Sequence, residues 1–177
     1  METIFFGQCW TTECESDALW RIYAPKKDGI LIRSTPKKLL TKLYGSKPDD
    51  ELRWEMGKIN YLKEKDIVEN SSILFNQVIS DTSGRECFKS LLIKREAFRY
   101  ESEVRLLYQD LDNDCKEDII KFEIKDINDV FDQITIDSRM SKFMCENFIQ
   151  IAKDAGFEGE VTRSTLYEVP NLVIPFQ

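Results

Sequence analysis

The sequence predicts a single α+β domain: a mixed, mostly antiparallel sheet, or two such sheets, with flanking helices. Three observations carry that expectation. Short β-prone runs such as residues 3–10, Ile30–Ile32 and Ile134–Asp137 recur along the chain, each about the length of a strand. Between them apolar residues fall at helical spacing, as in Phe143, Met144, Phe148, Ile151 and Ala152. The chain has 177 residues, 42% hydrophobic and 32% charged, enough for one ordinary core, and its five Pro and seven Gly leave no low-complexity segment.

Residues 3–10 read as the first strand. Ser16 to Ala24 reads as a short helix, with polar N-cap candidates before it and Pro25 after it. Trp10, Trp20 and Tyr23 are expected to form a core cluster around this turn. A Lys26–Gly29 turn leads into the buried strand Ile30–Ile32, and Pro36 suits the first turn of a helix running to about Tyr44. Residues 45–50 are expected as a loop. Leu52, Trp54, Met56 and Ile59 alternate with polar residues or Gly, as in a strand with one exposed face. Lys63 to Ser80 fits one helix or two short ones. Phe88, Leu91, Leu92 and Ile93 suggest a further short helix.

The segment Phe98–Tyr108 has the clearest period of two. Arg99, Glu101, Glu103 and Arg105 alternate with Tyr100, Ser102, Val104 and Leu106, so a single strand would carry all four charges on one face. Such a cluster is either a salt-bridged ladder or a carboxylate held at the wall of a cleft. Asp110 to Asp118 is an acidic loop; it lacks the turn Gly and closing Glu of a calcium loop. Ile119–Ile124 is expected to be a strand pairing back. Ile127–Phe131 reads as a helical turn, Ile134–Asp137 as a strand, and Phe143–Ala152 as a helix ended by Gly156 at its C′ position. Glu160–Arg163 is the last strand.

Charge and composition restrict function. The net charge of −7 opposes broad, sequence-independent nucleic-acid binding, which needs a surplus of Lys and Arg. Neither a basic-plus-apolar leader nor an apolar run of bilayer length is evident, so a soluble, cytoplasmic protein without membrane contact is expected. Five cysteines at irregular spacing read as free thiols. With no His in the chain, zinc sets other than an all-Cys one and His-based acid–base chemistry are excluded, and no metal is expected. Catalysis would rest on carboxylates, Tyr, Ser, Lys, Arg or Cys.

Several stretches together resemble an uncharacterised family of bacterial and phage proteins, a domain of unknown function. They are Cys9-Trp10, Glu15–Tyr23, Asp28–Thr35, Lys94-Arg95 with Phe98 and Glu101-x-Glu103-x-Arg105, and Arg163–Tyr167. They span nearly the whole chain. Relatives in that family usually carry a further section before the Cys-Trp strand, with a Tyr- and Arg-rich strand. Met1 lies eight residues before Cys9, so that section is expected to be missing here. An unpaired sheet edge, open to homodimerisation, would result.

The family is in turn distantly similar to ADP-ribosyltransferase-like folds, including toxins of toxin–antitoxin pairs. Those enzymes often carry a glutamate on a central strand within a Glu/Gln-x-Glu pattern, which Glu101-Ser102-Glu103 matches. The resemblance implies NAD as substrate, Glu103 as catalytic carboxylate and Glu101 as a residue that positions the acceptor. It also implies Arg33, Ser34, Arg105 and Tyr23 as the lining of an NAD-shaped cleft, with Arg105 keeping Glu103 ionised. The other reading is a non-catalytic module that binds a nucleotide-like small molecule or a protein partner in phage–host conflict.

Overall fold

The aromatic and β-branched run Ile4–Thr11 forms β1, and alternating apolar and polar segments supply the other strands of an α+β fold. The computed structural model describes residues 4–44, 54–81, 83–110 and 119–169. The elements follow as α1 (Asp17–Tyr23), β2 (Ile30–Arg33), α2 (Pro36–Tyr44), β3 (Trp54–Lys58), β4 (Asn60–Leu62) and α3 (Glu64–Ser80). Then come α4 (Arg85–Leu91), β5 (Ile93–Arg95), a 3₁₀ turn (Glu96–Glu101) and β6 (Glu103–Asp110). A second 3₁₀ turn (Ile127–Asp129), β7 (Gln133–Ile136), α5 (Lys142–Asp154) and β8 (Glu160–Arg163) complete the order. The expected loops at 45–50 and 110–118 lie outside the described residues, apart from Asp110, which is the last residue of the strand Glu103–Asp110.

Two compact units divide the chain. Unit 1 comprises Met1–Cys14 and Leu39–Ile124; unit 2 comprises Glu15–Lys38 and Lys125–Gln177. In unit 1, β6 is the central strand of the order β1-β6-β3, antiparallel to both neighbours, and β4 and β5 form a separate parallel pair. Its buried side chains include Trp54, Ile59, Phe88, Leu106, Leu107 and Tyr108. Trp54 lies 4.6 Å from the Tyr108 ring and 5.0 Å from that of Phe122, and Phe5 meets Phe88 edge-on at 5.3 Å. Such tilted and edge-on contacts suit the quadrupoles of aromatic rings.

Unit 2 holds the order β2-β7-β8, with β2 antiparallel and β8 parallel to β7. Ile134, Ala152 and Phe157 form its core, flanked by Ile30, Ile127, Phe131 and Val161. α5 is capped at both ends: the Ser141 hydroxyl accepts from the Met144 N–H, and Gly156, expected at C′, turns the chain out at φ 76°. Gly29 is fixed by a close approach, since a Cβ there would lie 2.4 Å from the Cβ of Ala24.

Three expectations need correction. The charged strand does not begin at Phe98: Glu96–Glu101 is a 3₁₀ turn, Ser102 is left-handed at φ 44°, and only then does β6 start. The Glu96–Arg99 ion pair at 3.2 Å spans one such turn, and the Thr11 hydroxyl donates to the Glu101 carbonyl at 2.7 Å. Residues 119–124 join no ladder; Phe122 instead packs on Trp54 and Tyr108. The expected aromatic core cluster also fails: Trp20 is buried, but Trp10 is half-buried on β1 and Tyr23 is 68% exposed. Side-chain packing overrode local periodicity in the second case; in the last, Tyr23 is the final residue of the seven-residue α1, and Trp10 lies on β1 of the other unit.

The ambiguous stretch after Lys63 is one helix, α3. The apolar Phe88–Ile93 segment divides into α4 and the first residue of β5. No helix among the described residues is long and apolar enough to cross a membrane.

Candidate functional site, a buried charge cluster at the start of the central strand

Glu103 opens β6, between β1 and β3, opposite Thr11 on one side. On the other, its carbonyl accepts from the Ile59 N–H at 2.9 Å, while its own N–H donates to the Tyr61 hydroxyl at 2.8 Å. Both its backbone N–H and its carbonyl are therefore held on the side away from β1. Strand alternation puts the Arg105 side chain on the same face, and Cys9 is the cross-strand partner of Arg105. Lys94, in the middle of β5, reaches the same point from a different sheet.

The Lys94 ammonium lies 2.8 Å from Oε2 of Glu103 and also pairs with Oε2 of Glu101. Arg105 Nε donates to Oε1 of Glu103 at 2.7 Å, and its Nη1 donates to the Leu91 carbonyl. Glu103 is only 4% exposed and Glu101 is 7% exposed. Burial opposes ionisation of Glu103, but hydrogen bonds from Arg105, Cys9 and Lys94 outweigh it and hold its pKa at about 2. Burial likewise disfavours the Lys94 ammonium, yet Glu101 and Glu103 keep it charged well above its ordinary range. Burial and the neighbouring Glu103 push the Cys9 thiol up, so it is not an activated nucleophile. The cluster balances two cations against two carboxylates.

Of the six residues singled out from the sequence, Glu101, Glu103 and Arg105 come together here. Arg33, Ser34 and Tyr23 belong to unit 2. There, the Ser34 hydroxyl donates to the Val130 carbonyl at 2.6 Å, Arg33 is exposed at the end of β2, and Tyr23 is exposed at the end of α1. Sequence reasoning assigned no role to Lys94. The only signal was its place in the Lys94-Arg95 pair of the family resemblance, and nothing local shows that β5 directs it at Glu103.

Unit 2 has an ionic cluster of its own that the sequence did not reveal. Asp137 is fully buried and is clasped by Arg139, whose Nη2 lies 2.6 Å from Oδ2. Burial opposes the Asp137 charge, but the Arg139 guanidinium and backbone N–H outweigh it and lower its pKa. The same Nη2 donates to the carbonyls of Trp20 and Ala24, at 3.0 and 3.2 Å, at the C-terminal end of α1. Tyr167 lies over the guanidinium at 5.5 Å and donates its hydroxyl to Asp17. One arginine thus joins β7, α1 and the Ser164–Tyr167 stretch.

These features define an α+β protein with one buried ionic cluster in each unit. Residues 19–106 match the model of the family described as Protein of unknown function (DUF2971), and the chain belongs to that family. The matched stretch contains Lys94, Glu101, Glu103 and Arg105 and ends before Asp137 and Arg139. Comparisons with curated proteins and with solved structures give no significant match.

Proposed function

We propose that the chain is an ADP-ribosyltransferase-like protein that cleaves the nicotinamide–ribose bond of NAD, with Glu103 as its essential carboxylate. One observation carries this reading: the second carboxylate of a Glu-x-Glu pair begins a central strand, fixed through its backbone and kept ionised by two cations. As the bond electrons leave with nicotinamide, positive charge develops at the ribose C1′, and a preorganised carboxylate stabilises it without reorganising. Lys94, Arg105 and Cys9 occupy three of the roughly four lone-pair directions of the Glu103 carboxylate, so one remains for a further group. Glu101, sharing Lys94, positions the acceptor. The cysteines among the described residues are free thiols, which suits work in a reducing cytoplasm.

A second reading is favoured by one specific observation. Both oxygens of Glu103 already carry a cation, and the residue is 4% exposed, as expected of a non-catalytic module that binds a nucleotide-like ligand or a protein. Calorimetric titration with NAD, run beside a nicotinamide-release assay on wild type and Glu103→Gln, separates the two. Binding with release by wild type alone supports the enzyme. Binding without release by either protein supports the module. No binding at millimolar NAD overturns the NAD reading.

A further inference from the structure

We propose that β1 is a self-association edge, along which two copies of the chain pair antiparallel and join their three-stranded sheets into one. Within unit 1, β1 has β6 on one side, and among the described residues no strand adjoins the other. Its backbone is open there: Gly7, Gln8 and Cys9 at its centre are exposed, and exposure of a glycine is exposure of main chain.

Edge strands normally carry features that block such pairing: charged side chains, Pro, bulges or short length. β1 is eight residues long and contains neither a charge nor Pro. The other edges differ. β3 carries Glu55 and Lys58, β2 carries Arg33, β8 carries Glu160 and Arg163, and β5 carries Lys94 and Arg95. β4 is uncharged but only three residues long. Two chains of net charge −7 repel each other, least where the contact itself adds no like charges, and β1 is neutral.

The ladder fixes how two copies can meet. The Thr12 N–H donates to the Ser102 carbonyl at 3.0 Å, in register with the β1–β6 pairing. Even-numbered residues of β1 therefore turn their backbone toward β6, and odd-numbered Phe5, Gly7, Cys9 and Thr11 turn theirs outward. In a twofold pairing, odd residues must meet odd residues. Centring the dyad on Gln8 achieves this over Phe5–Thr11 of both copies, with Gly7 opposite Cys9. It also places Phe6 of each copy opposite Trp10 of the other at closely spaced, non-hydrogen-bonded positions, where aromatic pairs contribute most. The occupant of the edge is a second copy of this chain, and the contact is isologous.

The test compares Gly7→Pro with Gly7→Ala. Both add a Cβ, which would lie 3.3 Å from Cδ2 of Leu107, but only Pro removes an outward N–H, and the β6 ladder keeps all its bonds. In sedimentation equilibrium, wild type and Gly7→Ala should show twice the chain mass, and Gly7→Pro should show the chain mass with an unchanged circular dichroism spectrum. A wild type that stays monomeric at high micromolar concentration overturns the proposal and leaves the edge to an extended segment of another protein. A folded Gly7→Pro dimer also overturns it. Should Gly7→Pro not fold, amide exchange on wild type decides: Gly7, Cys9 and Thr11 amides must gain protection as the protein is concentrated, and failure to do so overturns the pairing.

Discussion

The ammonium of Lys94 stands 2.8 Å from the carboxylate of Glu103, the two residues reaching each other from different sheets of unit 1. Lys94 is also the partner of Glu101, so one cation holds two buried carboxylates together. Surface pairs such as Glu86–Lys89, at 2.6 Å, have the same geometry but sit in solvent. Burial separates their consequences.

Replacing Lys94 with Met should therefore be costly. It leaves two carboxylates at 4% and 7% exposure short of a cation, and breaking a buried pair from one side typically costs about 3–5 kcal/mol. Lys89→Met, by contrast, should change stability by less than about 1 kcal/mol. Urea denaturation of the two variants beside wild type measures the difference. Equal midpoints would show that Lys94 is as dispensable as a surface lysine.

Acid should destabilise the fold in part through Glu103. Its folded pKa of about 2 lies below the ordinary 4.5, so the folded state favours the ionised form. That contribution is fully present above about pH 4.5 and is lost as pH falls from there through about 2. Asp81 titrates in the same window: hydrogen bonds from the Glu86 backbone and from Ser83 lower its pKa to about 2. Glu103→Gln should flatten the fall in stability between pH 5 and 2 without abolishing it, and Glu103→Gln with Asp81→Asn should flatten it further. Thermal midpoints taken across that range give the slopes, and a Glu103→Gln slope equal to that of wild type would count against the assignment.

Packing makes Gly29 irreplaceable by even the smallest side chain. A Cβ there would sit 2.4 Å from the Cβ of Ala24, which cannot rotate away, and 3.3 Å from the Trp20 ring. Gly29→Ala should destabilise by about 1–3 kcal/mol, the usual cost of overpacking. Gly156→Ala is a useful contrast. Its Cβ meets nothing within 4 Å, so its cost comes from the left-handed φ of 76° alone, about 1 kcal/mol. Denaturation midpoints rank the two, and a Gly29→Ala protein as stable as wild type would mean that the Ala24 turn yields.

Most elements were legible because their signals are local. Gly156 marks the C-terminal end of α5, Pro36 starts α2, and short β-prone runs give β2, β7 and β8. The charge face was legible only from Glu103 onward. Arg99 and Glu101 continue the alternation in sequence, but residues 96–101 form a 3₁₀ turn, whose i,i+3 neighbours Glu96 and Arg99 pair. Glu101 still reaches the cluster, through Lys94 and not through strand alternation. Lys94 was missed because its pairing with Glu103 depends on how β5 lies relative to β6. Asp137 and Arg139 are two residues apart and look like solvated turn charges until the structure shows Asp137 fully buried.

The Asp137–Arg139 clasp supports the last prediction. Arg139 bonds both oxygens of Asp137 and two carbonyls at the end of α1, which a planar, forked guanidinium can do at once. A lysine at this position has one point charge and can satisfy the carboxylate or the carbonyls, not all of them. Arg139→Lys should therefore recover only part of the loss seen in Arg139→Met, for which about 3–5 kcal/mol is expected because Asp137 remains buried without its cation. Asp137→Asn in the Arg139→Met background removes the stranded charge and should restore some stability, a non-additivity that separates an ion pair from simple packing. Equal stability of Arg139→Lys and wild type would mean that charge alone, and not the fork, holds α1 to β7.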